Sequence, residues 1–294
     1  VRPRRVCCTE ECTWIDNRIR SEDLSITLSR PGVPLRRSRV ERRNALTGRE
    51  DGPCLLQCSR EPLDDPDAGS IMEPFLTLDF GRQVNGCLDV DVEGPSGALL
   101  DFGFAEQLVD GRFNNAIEAP LAARLVLRGG RQTWRTFTWR SWRYLRVRAN
   151  RAFDPIRLHD LTAVAESLPS SPRGALRTDD PGLQSVYNLC RRTVAMGAGE
   201  TFFDSPWREQ GQWLGDVAAV AADAYYALTG DARLPSKFLY EAAVTQNGEG
   251  LLANLPNNVL NGGLTGTPLA DYSLHWIRAL RRFVWNTGSL EHLH

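Results

Sequence analysis

The sequence predicts a multidomain β + α chain, an antiparallel β-sandwich followed by helical hairpins of an α/α toroid. Three observations predict it. Apolar residues alternate with a period of two from about residue 73 to 166. A Pro/Ser/Gly stretch then intervenes at 169–174, and beyond it the period becomes helical. Within the helical part, an aromatic helix end followed by Thr-Gly occurs twice.

Residues 1–72 read as an irregular N-terminal segment with short strands, among them an alternation at Leu24, Ile26 and Leu28. Residues 62–70, rich in Asp and Pro, read as a loop. Residues 73–168 form the sandwich. Leu76, Leu78 and Phe80 alternate with polar residues, then Leu88, Val90 and Val92 with Asp89, Asp91 and Glu93. Leu100, Phe102, Phe104, Leu125, Leu127, Leu145 and Val147 continue the pattern, with turn signals at Gly94, Gly97, Gly111 and Gly129. Such runs describe strands with one wet face. Trp134, Trp139 and Trp142 fit sandwich packing better than an exposed sugar-binding face.

Residues 169–294 read as part of a toroid. A helix starts near Asp180 and Pro181 and places Val186, Leu189, Cys190, Thr193, Val194 and Gly197 on one face. Further helices span 214–228, 234–244 and 272–285. Gly230 and Gly288 each follow a threonine at an aromatic helix end, where glycine suits a left-handed C-cap.

The 294 residues are 42% hydrophobic, enough for a sizeable core, and the net charge of −1 gives no field to draw nucleic acid or an anionic membrane. Arg36, Arg37, Arg39, Arg42 and Arg43 cluster without interleaved aromatics, and Lys237 is the only lysine. No run approaches the ~18 apolar residues of a membrane span. The first residues lack a signal-like apolar core, so a cytoplasmic location is expected. Seven cysteines, an odd number, do not suit a fully paired framework. No histidine precedes residue 159, so the cysteine spacings are read as ordinary thiols and no metal site is expected.

The stretch 200–216 carries the chemistry. It holds three carboxylates (Asp204, Glu209, Asp216), Arg208, and two tryptophans (Trp207, Trp213). Carboxylates accept hydrogen bonds from hydroxyls, and indole faces cover the C–H faces of a pyranose ring, so the mixture points to a sugar site. Asp204 before Ser-Pro also reads as a turn that opens a helix at Pro206, with Glu209 in its first turns. Asp at an N-cap and Glu in a first turn are ordinary helix features too. Tryptophan beside unpaired acids is nevertheless a poor way to build a core.

Asp-x-Pro-x-Arg-Glu followed by Trp-x-Gly-Asp resembles the active-site motif of the α-L-rhamnosidases of glycoside hydrolase family 78. The segments at 78–86 and 102–111 resemble the sandwich that precedes their barrel, and Asp271 to Trp276 fits their helices. The resemblance implies an (α/α)6 barrel that removes terminal α-L-rhamnose with inversion and without a metal or organic cofactor, acting on a rhamnose-containing glycoside or oligosaccharide. It makes Glu209 the general acid, assigns sugar-hydroxyl binding to Asp204 and Asp216, and lines the pocket with Arg208 and Trp213. Glu209 must then keep its proton near neutral pH, with Asp204 and Asp216 supplying the like charge. The chain departs from the family where Ser205 replaces a usual cysteine and where Gln210 and Gly211 replace a more acidic stretch. The family's base lies a few hundred residues beyond the acid. Six hairpins need roughly 330 residues, so the expectation is a partial barrel without its base. Two alternatives stay open: a carbohydrate-binding chain without catalysis, and an α/α-barrel glycosidase for another hexose.

Overall fold

The computed structural model describes residues 1–13, 21–59, 72–116, 121–150, 152–168, 173–257 and 268–293. The loop expected at 62–70 and the linker residues 169–172 lie outside them. The chain divides into two units, Val1–Ala165 and Glu166–His294.

The first unit is built from antiparallel strands. In chain order they are β1 (Arg5–Thr13), β2 (Val33–Pro34), β3 (Arg39–Glu41), β4 (Cys54–Gln57), β5 (Met72–Gly94), β6 (Leu99–Ala105), β7 (Leu108–Val109), β8 (Arg112–Phe113), β9 (Ala122–Val126), β10 (Gly130–Arg135), β11 (Arg140–Asn150) and β12 (Ile156–Ala165). A short helix, α1 (Ser21–Leu28), follows β1. The main path runs β3-β4-β12-β5-β11-β6-β9.

The two apolar runs that begin at Leu76 and Leu88 belong to one 23-residue strand, β5. Gly81, at φ 76°, lies between them without ending the strand. The first half of β5 pairs with β1 and β11, the second with β10 and β12, so one strand contributes to both ends of the sandwich. Its inward residues Leu76, Leu78, Phe80, Leu88, Val90 and Val92 are all in the core. Each such side chain contributes about 1.5–3 kcal/mol on burial. Trp142 is fully buried with its ring edge-on to Phe80 at 5.9 Å and Phe104 at 5.1 Å. It is a packing residue, as expected.

Two readings of residues 1–72 are corrected. The segment does not stand apart from the sandwich, because β1 pairs along β5 from Arg5↔Asp79 to Thr13↔Met72, and β4 pairs with β12. The alternation at Leu24, Ile26 and Leu28 is helical. Leu24 and Leu28, one turn apart, are buried against Ala105, Phe113 and Tyr144, whereas Ile26 is 56% exposed. Three alternating residues suit either period; the tertiary neighbours chose.

The sandwich also buries charge. Asp101, fully buried, accepts from Arg124 (2.5 and 3.0 Å), Arg148 (3.1 and 2.5 Å) and Asn150 (3.3 Å). Burial alone would raise its pKa. The hydrogen bonds and charges of Arg124 and Arg148 outweigh that and hold it below the usual carboxylate range.

The second unit is helical: α2 (Pro181–Met196), α3 (Leu214–Asp216), a π-helical turn at Val217–Ala221, α4 (Ala222–Thr229), α5 (Arg233–Ala243) and α6 (Ala270–Thr287). Asp180 caps α2, its carboxylate accepting from Gly182 N at 2.8 Å and Leu183 N at 3.1 Å, with Pro181 opening the helix. The Thr-Gly repeat is the same device twice. Gly230 (φ 64°) and Gly288 (φ 72°) donate to Tyr226 O and Val284 O, and Thr229 and Thr287 each bond the carbonyl four residues back. The core gathers Phe202, Tyr225, Phe238 and Phe283 with Leu214, Val217 and Leu239. Among the described residues no helix is long and apolar enough to cross a membrane.

Candidate functional site

The segment from Asp204 to Trp213 is a closed turn, not the start of a helix. Asp204 N donates to Gly211 O at 3.0 Å, and Gly211 N returns a bond to the Asp204 carboxylate at 3.3 Å. Inside this ring Gln210 N donates to Ser205 O at 3.0 Å and Gln210 Nε2 to Pro206 O at 2.9 Å. Gln210 is fully buried at φ 50°, a left-handed conformation that reverses the chain and prevents a helix from running through it. The helix expected at Pro206 therefore begins only at Leu214.

The turn brings four of the five expected site residues together directly. Asp204 and Glu209 share a hydrogen bond between their carboxyl groups. Glu209 also accepts from Trp213 Nε1 at 3.2 Å and pairs with Arg208 Nη2 at 3.1 Å. Asp216, at the end of α3, joins through α6: it accepts from the Tyr272 hydroxyl at 3.5 Å. Gly215 permits this approach, since a Cβ there would lie 2.4 Å from the Tyr272 ring. Burial and Asp216 push the Tyr272 phenol up, with Asp271 and Asp204 adding to the effect, so three carboxylates surround that hydroxyl electrostatically.

The proton sits where the sequence did not place it. Enclosure by the turn and the adjacent Glu209 push Asp204 up to about 7. Glu209 goes the other way, held down by the Asp204 hydrogen bond and by Arg208 and Trp213. The expectation that Glu209 carries a raised pKa is thus corrected. Glu209 faces the cation and the indole N–H, and Asp204 faces mainly another acid. Two carboxyls in contact share one proton near neutral pH, and the less stabilised anion keeps it.

A second set of residues holds the turn in place, and pattern reading had missed it. Gln212 is fully buried. Its Oε1 accepts from Thr201 Oγ1 and from Phe202 N, and its Nε2 donates to Glu241 Oε2 at 2.9 Å. Glu241, on α5, is paired with Lys237 at 2.5 Å and accepts from Asn257 Nδ2 at 3.3 Å. Backbone bonds from Gln212 to Asn257 O and from Leu214 to Asn254 O, both 2.8 Å, fasten the other side. Only the singularity of Lys237 hinted at this set, because its members are scattered from 201 to 257. Among the described residues no group of three or more His, Cys, Asp or Glu side chains is arranged to hold a metal ion.

Two family models match the chain in succession. The bacterial α-L-rhamnosidase concanavalin-like domain matches residues 72–165, and the bacterial α-L-rhamnosidase six-hairpin glycosidase domain matches residues 171–290. No curated protein matches. Among solved structures, the chain is similar to a family 78 rhamnosidase of Bacillus sp. GL1 (TM-score 0.65, 22% identity, 80% of this chain and 24% of that one). It is similar to a rhamnosidase from Klebsiella oxytoca with rhamnose bound (TM-score 0.60, 16% identity, 92% and 56%). It is also similar to the α-L-rhamnosidase of Aspergillus terreus (TM-score 0.59, 19% identity, 82% and 28%). At these identities the likeness establishes the fold, and the chain spans from about a quarter to just over half the length of these proteins.

Proposed function

The chain belongs to the bacterial α-L-rhamnosidase family, and from that premise we propose that it supplies the sandwich and the acid-bearing part of a glycosidase that releases terminal α-L-rhamnose from a glycoside. The observation that carries the reading is the Asp204–Glu209 pair, two carboxyls in contact with one proton to give near neutral pH. Glycoside cleavage needs such a donor, because the leaving alkoxide must be protonated as the C–O bond breaks.

In this mechanism Asp204 stores the proton and Glu209, the member flanked by Arg208 and Trp213, presents it. The proton passes from Asp204 to Glu209 along their hydrogen bond and from Glu209 to the glycosidic oxygen. The pair is left doubly charged and is reprotonated from water. Arg208 steadies the Glu209 carboxylate at 3.1 Å. Asp216, oriented by Tyr272, accepts from sugar hydroxyls, and Trp213 covers a C–H face of the ring. Inversion requires a second carboxylate about 6.5–9.5 Å from the acid, with a water between them; that base is assigned to no residue of this chain.

The Klebsiella oxytoca structure, described with rhamnose bound, supports the choice of sugar. Titration calorimetry of the chain with L-rhamnose, beside D-glucose and D-galactose, tests it. Heat with rhamnose that disappears in Asp216→Ala is expected. No heat with any sugar, or a preference for another hexose, refutes the assignment. In a full-length version that supplies the base, hydrolysis of an aryl α-L-rhamnoside is expected to be lost in Glu209→Gln.

A further inference from the structure

We propose that the sandwich carries a second saccharide site, at its mouth between β9 and the turn joining β10 to β11, and that this site takes an acidic sugar residue such as a uronate. A cavity of about 260 Å³ opens there. It is slightly below the usual range of small-molecule pockets, about 300–1,000 Å³, which suits one ring rather than a chain.

The lining has an unusual composition. Among the described residues it contains two arginines (Arg124, Arg140), two threonines (Thr136, Thr138), three aromatics (Phe104, Trp134, Phe137) and two alanines, and no carboxylate. Phe137 is 93% exposed at the tip of the turn. A large apolar ring held in water this way has no packing role in the sandwich. Trp134 is stacked on Phe102 in the core at 5.8 Å, so one face is spent inside while the residue still borders the cavity. Together they offer apolar surface to the C–H face of a pyranose.

The cations define the charge of the ligand. Arg124 spends Nε and Nη2 on Asp101, and among the described residues its Nη1 has no protein partner. Arg140 is buried, donates Nη1 to Trp139 O at 3.1 Å, and is pushed down to about 10 by desolvation. A buried guanidinium bordering a cavity can form charge-assisted hydrogen bonds with an anion that enters it. Thr136 Oγ1 already accepts from Leu88 N at 2.9 Å, which leaves its O–H to donate. A planar carboxylate on a hydroxylated ring satisfies the arginines, the threonines and the aromatics together.

The site lies in the first unit and is independent of the Asp204–Glu209 pair. Calorimetric titration of the 294-residue protein with D-galacturonate and trigalacturonate, beside D-galactose, tests it at low ionic strength. Saturable binding of the acidic sugars at least tenfold tighter than galactose is expected. Phe137→Ala, which removes only an exposed ring, is expected to weaken it at least tenfold while the melting temperature holds. Arg140→Gln is expected to erase the preference for acid over neutral sugar. Absence of saturable binding, equal affinity for galactose, or full affinity in Phe137→Ala overturns the proposal. Benzoate binding as tightly as galacturonate overturns the saccharide assignment in favour of any aromatic acid. Glu209→Gln is expected to keep uronate binding, and its loss there would move the binding to the other unit.

Discussion

Asp101 in the sandwich and Asp204 in the helical unit are the same residue type under opposite regimes. Asp101 lies between two arginines that supply four hydrogen bonds, and its charge is saturated. Asp204 has an acid for a neighbour, and Arg208 is spent on Glu209. The first carboxyl is driven below its ordinary pKa and serves the fold. The second is driven above it and holds a proton that chemistry can use. Burial is the first influence on both. What separates them is the count of cations within reach, so a buried acid by itself announces nothing about function.

The comparison breaks most visibly at Asp101. Asp101→Ala removes the anion that Arg124 and Arg148 share, and leaves the fully buried Arg148 paired with Glu73 at 3.7 Å in place of the Asp101 contact at 2.5 Å. A loss of about 3–5 kcal/mol is expected in urea unfolding, and a loss under about 1 kcal/mol would show that the cluster relaxes into water. The next effect is on rate. In a full-length version that supplies the base, Glu209→Gln is expected to lower turnover of an aryl α-L-rhamnoside by about 10²–10⁴, and near-normal turnover removes Glu209 from the acid's role.

The two aspartates should also give stability opposite pH slopes. Asp101, with its pKa lowered by folding, stabilises above its unfolded value, and that contribution is lost as the solution is acidified. Asp204, raised from 3.8 to about 7, stabilises fully below 3.8, and its contribution is lost as pH rises towards and through 7. Urea midpoints measured from pH 4 to 8 are expected to decline less steeply in Asp204→Asn than in the parent chain. An unchanged slope would mean that Asp204 is already ionised across that window. The smallest effect belongs to Arg208→Ala. Both partners of its ion pair are partly exposed, so stability should fall by less than about 1 kcal/mol. The carboxyl resonance of Glu209, followed by NMR, is expected to titrate at higher pH without the cation. No movement there would transfer its stabilisation to Trp213 and Asp204.

Much of this was legible beforehand. The alternation at Leu76, Leu88 and Phe102 located the sandwich core, and Asp180 with Pro181 marked the start of α2. The Thr-Gly repeat located two helix ends that proved to use the same capping bonds. The clustering of Asp204, Arg208, Glu209 and Trp213 was legible because those residues are near in sequence. Gln212, Glu241 and Tyr272 were not, since they meet the turn from different elements. A helix was expected at Pro206 because local signals favour one; the left-handed Gln210 and the bonds between Asp204 and Gly211 won instead.

The sequence by itself determined the order of the two units, the periods of their elements and which acids stand close together. Those properties are local: side-chain spacing sets which face is apolar, and short separations limit how far apart residues can lie. Only the tertiary structure decided which acid holds the proton, because a pKa is set by enclosure and by the charges that surround a group. It likewise decided that β1 joins β5 and that Leu24 and Leu28 turn helically inward, because both depend on partners more than fifty residues away.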